Sequence, residues 1–262
     1  MKAELKLQIE YHNKHSVIVD SYFTSPLKPA IPDTHEKRLT IVLMMASAGL
    51  LKGDQLFFDI ICGQGTQTFV TDQSYTKVFD TGDCCAARYQ HIRVEKGASF
   101  FYRPCATILY RNSSYKATME VELDKQSEFL YTDIVIAGRI GMGEKFVFCN
   151  YHNRISISVD GRPAWIDNCL LKPKTMDVQG MLFFDGYTHQ GTFYYYGTET
   201  KQDKLEHNLP LIFQQREELT GGEKRLVYGI SKAAYGIIVR ILGMSAQDIE
   251  EVFCALEHTV EV

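Results

Sequence analysis

YKATMEVELD, Tyr115–Asp124, is the clearest structural signal in the sequence, because apolar and polar side chains alternate along it without a break. Its apolar members are Tyr115, Ala117, Met119, Val121 and Leu123. Successive side chains of a β-strand point to opposite faces, so this pattern places one face against a core and the other in water. The stretch therefore predicts a half-buried strand.

A second stretch, RISISVDGRPAWID, predicts a β-hairpin. Ile155, Ile157 and Val159 alternate with polar residues and are followed by Asp160-Gly161, a dipeptide preferred in two-residue type I′ turns. Pro163 follows the turn closely, and proline lacks the N–H that a central strand must donate. We therefore expect the second strand of the hairpin to lie at the edge of a sheet.

Similar strand patterns continue along the rest of the chain. The further predicted strands are Leu5–Tyr11, Arg38–Met45, Gln55–Cys62, Thr66–Thr71, Ser99–Tyr102, Phe129–Ala137, Lys145–Tyr151, Gly191–Tyr196, Arg225–Ile230 and Tyr235–Leu242. Regular alternation of helices and strands, which would build a doubly wound fold, is absent. The sequence predicts an all-β protein of packed, many-stranded sheets, in a single domain over residues 1–262.

Helical periodicity is convincing only near the C-terminus. An apolar stripe follows Ser245, a good N-cap residue, with Asp248 three positions on. The stripe consists of Ile249, Val252, Phe253, Leu256 and Val260. Residues Asp203–Glu218 fit either a second helix or a long mobile loop. We therefore expect one or two helices, including a C-terminal amphipathic one.

Charge and hydropathy exclude several classes of protein. The formal net charge is −4, and lysines and arginines do not cluster with aromatics as a nucleic-acid surface requires. Apolar runs such as Ile41–Met45 are far shorter than the ~20 residues of a membrane helix. The first residues lack the apolar run of a signal peptide, and the seven cysteines show no repeating spacing. We expect a cytoplasmic protein with reduced thiols and neither nucleic-acid nor membrane partners.

Two glycine-rich segments do not match phosphate-binding loops. Gly63-Gln64-Gly65 lies between two predicted strands and lacks a third glycine, so a hairpin turn is the favoured interpretation. Gly138–Glu144 has no Lys-Ser/Thr pair after it, which favours a structural loop.

Candidate metal ligands and nucleophiles are isolated. Cys149 and His152 have C-x-x-H spacing, but no second pair completes the three or four ligands of a held metal, so we predict no tightly bound metal and no permanent cofactor. Cys84 or Cys85 with His91 leaves open a thiol hydrolase, because a dyad assembles in space. We assign no catalytic residues and favour a non-enzyme.

Three segments together resemble the UreD/UreH family of urease accessory proteins. SAGLLKGDQLFFDI (Ser47–Ile60) resembles that family's P-G-G-x-x-G-G-D followed by a strand. TFVTDQSYTKVF (Thr68–Phe79) is similar to T-x-x-T-x-Q-x-A-T-K-V/I-Y, although Asp72 departs from the pattern by being acidic. FLYTDIVIAGRIGMGEKF (Phe129–Phe146) resembles L-x-x-x-D-I/L-x-x-x-G-R-x-x-x-G-E-x-F. Order and spacing agree across all three.

The resemblance implies a non-catalytic scaffold for urease maturation. It implies a complex with a helical UreF-type partner and a UreG-type GTPase, docking on urease apoprotein, and assistance to nickel insertion through an internal polar passage. Nickel would then be a transient cargo, held by scattered oxygen ligands that bind and release it. The residues that the resemblance suggests for the lining are Asp54, Thr71, Ser74, Asp133 and Glu144.

Structural roles compete with each of these assignments. Asp54 is also an ordinary turn acid, and Glu144 could cap the glycine loop. Thr71–Lys77, which includes Ser74, could be a strand end with local side-chain-to-backbone hydrogen bonds. Asp133 lies in a predicted core strand and must be paired or hydrogen-bonded. An ion pair between Asp133 and Arg139 is as plausible as a contact between Asp133 and nickel.

Other classes of protein also stay open at this stage. They are a β-sandwich enzyme built around Cys84 or Cys85 and a carbohydrate-binding jelly roll. The aromatic stretches FFDGY and FYYYG fit either apolar surface patches that need a partner or a buried core.

Overall fold

Two stacked β-sheets and two helices make up the structure, a computed structural model that describes residues 1–32, 38–181, 183–219 and 225–261. The strands are β1 (Lys2–His12), β2 (His15–Phe23), β3 (Leu27–Ala30), β4 (Leu39–Met45), β5 (Gln55–Cys62), β6 (Gln67–Asp72), β7 (Thr76–Val78), β8 (Ala86–Val94), β9 (Ser99–Arg103), β10 (Thr107–Leu109), β11 (Ser114–Leu123), β12 (Glu128–Ile136), β13 (Asn150–Val159), β14 (Arg162–Leu171), β15 (His189–Tyr196), β16 (Leu226–Ala233) and β17 (Gly236–Gly243). The helices are α1 (Glu199–Leu219) and α2 (Ala246–Glu261).

The chain winds back and forth between the two sheets. The first sheet has the order β14-β13-β11-β8-β5-β1-β2, and the second has the order β16-β17-β15-β12-β9-β6-β4-β3. From β4 to β13 the main strands alternate between the sheets, so neighbours such as β5 and β8, or β6 and β9, run parallel. Parallel neighbours need a crossover connection, and here a strand of the opposite sheet provides it. The predicted all-β fold with a C-terminal helix is confirmed.

The two stretches that guided the sequence analysis fold as predicted. Tyr115–Asp124 coincides with β11 apart from its ends, and Met119, Val121 and Leu123 are buried. Asp160 and Gly161 have φ values of 47° and 72°, as a type I′ turn requires, and they join β13 to β14. The strand β14 is the edge of the first sheet, in agreement with Pro163.

Two local predictions are wrong. Gly63-Gln64-Gly65 does not form a hairpin turn, because it carries the chain from β5 in the first sheet to β6 in the second. Lys145–Tyr151 is not one strand, since β13 begins at Asn150. The reason is the conformation of Phe146, whose φ of 56° breaks an extended chain while its ring enters the core.

The two helices pack on the second sheet. The alternative of a helix for Asp203–Glu218 is the correct one, since α1 spans these residues. The Asp248 N–H donates to Ser245 Oγ at 3.4 Å, which supports the predicted cap of α2. The apolar side chains of α2 meet Phe193, Ile237 and Val239 of the sheet, forming a second core separate from the one between the sheets.

The aromatic stretches are largely core. Phe193, Tyr194 and Tyr195 are fully buried, so FYYYG is not a surface patch, whereas in FFDGY Phe184 is buried and Phe183 is exposed. Large exposed apolar side chains lie instead on β2, with Tyr22 and Phe23 among them.

Candidate functional site

A layer of polar side chains crosses the core between the two sheets. Strand alternation sends these side chains to the same interior face as Val70, Phe129 and Ile155. We call this group the polar layer; it comprises Asp72, Arg88, Gln90, Tyr102, Tyr115, Tyr131, Asp133, Tyr151, Asn153, Asp167, Thr192 and Arg240. Buried polar groups are costly unless they are paired, so the partners within the layer decide what it can do.

Asp133 occupies the centre of the polar layer. Its Oδ2 accepts hydrogen bonds from the Tyr151 hydroxyl at 3.2 Å and from Asn153 Nδ2 at 3.0 Å. Burial raises the pKa of the Asp133 carboxyl to about 6, the Tyr151 hydrogen bond partly offsets the rise, and the nearby Asp167 adds to it. At neutral pH Asp133 is therefore a half-buried carboxylate without a direct cationic partner among the described contacts.

One end of the polar layer lies at the shared edge of the sheets. Arg240 of β17 contacts Asp167 of β14 with 2.6 Å between Nη2 and Oδ1, and its Nη1 donates to Thr192 at 2.7 Å. Thr192 is the register partner of Asp133 on β15. The Arg240 side chain is 36% exposed, so this end of the layer reaches solvent.

The other end of the layer contains Asp72 and Arg88. Arg88 Nη1 lies 3.7 Å from Asp72 Oδ2, and Arg88 Nη2 donates to the Tyr102 hydroxyl. Gln90 Nε2 donates to the same hydroxyl at 3.0 Å. Burial raises the pKa of Asp72, and the charge of Arg88 offsets only part of that effect. Beside this pair is a cavity of about 30 Å³, which Ser74 also lines.

Tyrosines connect the two ends. The rings of Tyr102 and Tyr131 are 5.8 Å apart, and those of Tyr115 and Tyr151 are 6.4 Å apart. Burial raises the pKa of Tyr115 to about 12 and that of Tyr131 well above its usual value. These phenols stay neutral near pH 7 and can donate or accept hydrogen bonds along the layer.

The candidate lining residues do not come together in one place. Asp133 is in the polar layer and Ser74 borders the cavity at its Asp72 end. Thr71 lies on β6 with Phe69, whose side chain belongs to the helix-covered face, so alternation points Thr71 away from the layer. The adjacent Asp72 points inward instead.

Asp54 and Glu144 have local partners. Asp54 Oδ1 contacts the amino group of Met1 at 2.9 Å, and its Oδ2 accepts from the Leu51 N–H at 2.8 Å. Glu144 accepts two hydrogen bonds from Arg139, at 2.9 and 2.5 Å, which lower the pKa of its carboxyl. Arg139 as the partner of Asp133 is therefore wrong, because the tight turn over residues 140–143 brings this arginine back onto Glu144.

The thiol arrangement contradicts the proposed hydrolase dyad. Cys84 and Cys85 precede β8, and His91 is the sixth residue of that strand. A strand rises about 3.3 Å per residue, which separates Cys85 from His91 by roughly 15 to 20 Å. His91 instead contacts Asp59 at 3.0 Å and Glu122 at 3.5 Å on the outer face of the first sheet.

A tight metal centre is not formed by the described part of the chain. Within residues 1–32, 38–181, 183–219 and 225–261, no group of three or more His, Cys, Asp or Glu side chains could hold an ion. Cys149 lies before β13, and His152 on that strand contacts Asn168 at 2.7 Å. In the same ranges, no helix combines the length and apolar character needed to cross a membrane.

Sequence reasoning missed most of the polar layer. Asp133 was a candidate lining residue, but Asp72, Arg88, Asp167 and Arg240 were not. A usable signal existed for Asp72, because the alternation in QTFVTD puts it on the face of Thr68 and Val70, opposite Thr71. Asp167 and Arg240 are 73 positions apart in the numbering, and only the stacking of the two sheets brings them together.

Comparison with known proteins places this chain in the class of urease accessory proteins. A family profile described as UreD urease accessory protein matches residues 1–261. The Urease accessory protein UreD of Acetivibrio thermocellus is 30% identical over 254 residues, covering 96% of this chain and 94% of the relative. The Urease accessory protein UreH of Helicobacter pylori strain P12 is 36% identical over 189 residues, covering 72% and 71% of the two chains. The chain belongs to the UreD urease accessory protein family, and its role lies in urease maturation.

Proposed function

We propose that this chain is a non-catalytic scaffold that assists the insertion of nickel into urease apoprotein. In this proposal it forms a complex with a UreF-type protein and, through that complex, with a UreG-type GTPase, in the cytoplasm. Family membership and the names of its relatives as urease accessory proteins support a role in maturation. Nickel is the cargo in this proposal and not a resident cofactor.

The observation that carries the nickel proposal is the polar layer. It runs between the sheets from Asp72 to Arg240, and its carboxylates Asp72, Asp133 and Asp167 occur singly along the way. A path for an ion must bind it well enough to admit it and weakly enough to release it, which favours successive weak sites over one full coordination sphere. The single carboxylates along the layer support such an arrangement, and the Arg240 end reaches solvent.

The proposal refines the candidate lining. Asp133 and Ser74 are the original candidates that lie in or beside the polar layer, and Asp72 joins them. Asp54, Thr71 and Glu144 lie outside it, so any contact they make with nickel would fall before or after the layer. These assignments stay predictions.

The test is maturation of urease in cells that contain the other accessory proteins. Urease would be co-expressed with and without this chain, and urea hydrolysis and the nickel content of purified urease would be measured. We expect loss of both without the chain, and partial loss of both with Asp133→Ala. Glu120→Ala, at an exposed acid on β11, is the matched control outside the layer. Full nickel loading without the chain contradicts the proposed function, whereas full loading with a folded Asp133→Ala variant contradicts only the path.

A further inference from the structure

The guanidinium group of Arg88 is a fixed positive charge inside the polar layer. Its side chain on β8 is about nine-tenths buried, and it lies over the Phe58 ring with 4.5 Å to the ring centroid. Nη2 is held by the Tyr102 hydroxyl. Because arginine does not lose its proton in proteins, this charge is present at every pH at which the protein is folded.

The ion pair that Arg88 forms with Asp72 is not closed. The 3.7 Å between Nη1 and Asp72 Oδ2 is too long for a hydrogen bond, and both Oδ2 and Arg88 Nε are buried without a hydrogen-bond partner. Buried charged groups ordinarily form all the hydrogen bonds that they can, because an unmade one destabilises the fold. The pair is therefore poorly explained by stability alone.

Space for a guest lies next to these unpaired atoms. The cavity of about 30 Å³ is lined by Asp72, Arg88, Ser74 and Thr76, together with apolar side chains. A volume of this size accommodates one water molecule or one small ion. Asp72 and the two hydroxyl groups would supply oxygen ligands, which suit a divalent cation, while the adjacent guanidinium opposes it.

Arg88 is the cationic group beside Asp72, at the end of the polar layer opposite Arg240. Asp167 is paired with Arg240, whereas Asp72 and Asp133 have no comparably close cation among the described contacts. The charge of Arg88 lowers the pKa of Asp72 against the opposing effect of burial, whereas the pKa of Asp133 is lowered by the charge of Arg240 more than by that of Arg88. A divalent cation at the Asp72 end would meet the attraction of the carboxylates and the repulsion of Arg88 at similar distances.

We propose that Arg88 is a gating residue that keeps divalent cations from occupying the cavity at Asp72, Ser74 and Thr76 unless its guanidinium group is displaced. This inference rests on the proposed function for the identity of the natural cargo, nickel. The affinity of the isolated chain for divalent cations can be measured without urease or the other accessory proteins, so the test of Arg88 does not depend on them.

The experiment is a calorimetric titration of the purified, untagged full chain with NiCl₂ at pH 7.5. We expect Arg88→Gln to bind Ni²⁺ roughly tenfold or more tightly than the unmodified chain, because the repulsive charge is removed while the carboxylate stays. Arg88→Lys keeps the charge and should show no gain. Adding Asp72→Asn to Arg88→Gln should abolish the gain, and Arg93→Gln, on the exposed face of the same strand, should bind like the unmodified chain.

Several results would overturn the proposal. They are an unchanged affinity in a folded Arg88→Gln variant, an equal gain in Arg88→Lys, and a gain that survives Asp72→Asn. If Arg88→Gln fails to fold, Arg88→Met removes the charge with a side chain suited to the largely apolar lining of the cavity, and a folded Arg88→Met without tighter Ni²⁺ binding also refutes the proposal. Failure of the proposed function would instead appear as normal urease maturation without the chain, with these affinities unaffected.

Discussion

Arg240 and Asp167 tie the open edges of the two sheets together, with 2.6 Å between Nη2 and Oδ1. Asp167 belongs to β14, the edge strand of the first sheet, and Arg240 to β17, the strand next to the edge of the second. The guanidinium also lies over the Trp165 ring, 5.8 Å from its centroid. This contact joins the two sheets at the end where β14 and β16 are their edge strands.

Replacement of Arg240 by Met should lower the free energy of unfolding by about 1 to 2 kcal/mol, between the values for exposed and buried ion pairs. The reason is that Asp167 loses its cation while its side chain is only 16% exposed. Urea unfolding of Arg240→Met, Asp167→Asn and the double variant measures the coupling between the two residues. Additive costs would show that the pair contributes nothing as a pair, and Arg93→Gln at an exposed pair serves as the control.

Asp133 should destabilise the fold increasingly as pH rises. The folded protein holds this proton up to a pKa of about 6, whereas an aspartate in an unfolded chain has a pKa near 3.9. The folded state therefore binds more protons than the unfolded state between these values, and the free energy of unfolding from this group falls as pH rises through them. Its contribution is greatest below about pH 4 and is lost above about pH 6.

Asp133→Asn isolates this effect, because asparagine cannot ionise and can still accept from Tyr151 and Asn153. Relative to the unmodified protein, the variant should gain about 2 to 3 kcal/mol between pH 4 and pH 7, which corresponds to a pKa shift of about two units. Urea unfolding at both pH values measures the difference. A gain in the opposite direction would mean that the carboxylate is stabilised by the layer.

His189 should have the opposite pH dependence. Burial lowers the pKa of this imidazole to about 4, and histidine in an unfolded chain has a pKa near 6.5. The unfolded state binds more protons between these values, so stability is lost as pH falls from about 6.5 towards 4. His189→Gln should flatten this part of the stability profile, whereas Gln190→Asn, a substitution of one neutral side chain by another at the next residue of β15, should leave it unchanged. Equal profiles for the two variants would contradict the prediction.

Gly191 fixes the distance between α2 and the second sheet. A Cβ at this position would lie 2.6 Å from Ile249 Cγ2 and 2.9 Å from Phe253 Cζ, so Gly191→Ala must displace these two side chains or move the helix outwards. We expect a loss of about 1 to 3 kcal/mol by thermal or urea unfolding. Gly229→Ala on β16 has open space around it and should change stability by less than about 0.5 kcal/mol.

The clash at Gly191 can be tested by a second substitution. Ile249→Ala removes the atom that the new Cβ would meet, although it also leaves a cavity in the helix-side core. The double variant should therefore lose less stability than the sum of the two single variants. A fully additive result would place the cost of Gly191→Ala elsewhere than in this contact.

Strand identity was readable from the sequence because alternation is a local property. The residues of Tyr115–Asp124 and of the Asp160-Gly161 turn are sufficient to predict a strand and a turn, and both predictions lie close to the observed bounds. The short strands β3, β7 and β10 escaped prediction because three or four residues cannot show a period. Gly63-Gln64-Gly65 was misread since a turn within one sheet and a corner between two sheets use the same residues.

The candidate site was only partly readable. Asp133 was identifiable because an acid in an apolar strand must have a reason to be there. Its partner was not, since Arg139 is near in sequence while Tyr151 and Asn153 come from the opposite sheet. Arg88 and Asp72 also meet across the sandwich, and no pattern within either strand reveals that meeting.

The order of the strands in the two sheets allows the chain to fold while it is being synthesised on the ribosome. In the first sheet β5, β8, β11 and β13 lie side by side in the order in which they are synthesised, and β6, β9 and β12 do the same in the second. Each newly synthesised strand can therefore pair with a strand that is already in place, so the protein can fold from its N-terminal end as translation proceeds. The pairing of β17 with β15 comes last, and Arg240 completes the polar layer only when almost the whole polypeptide has emerged.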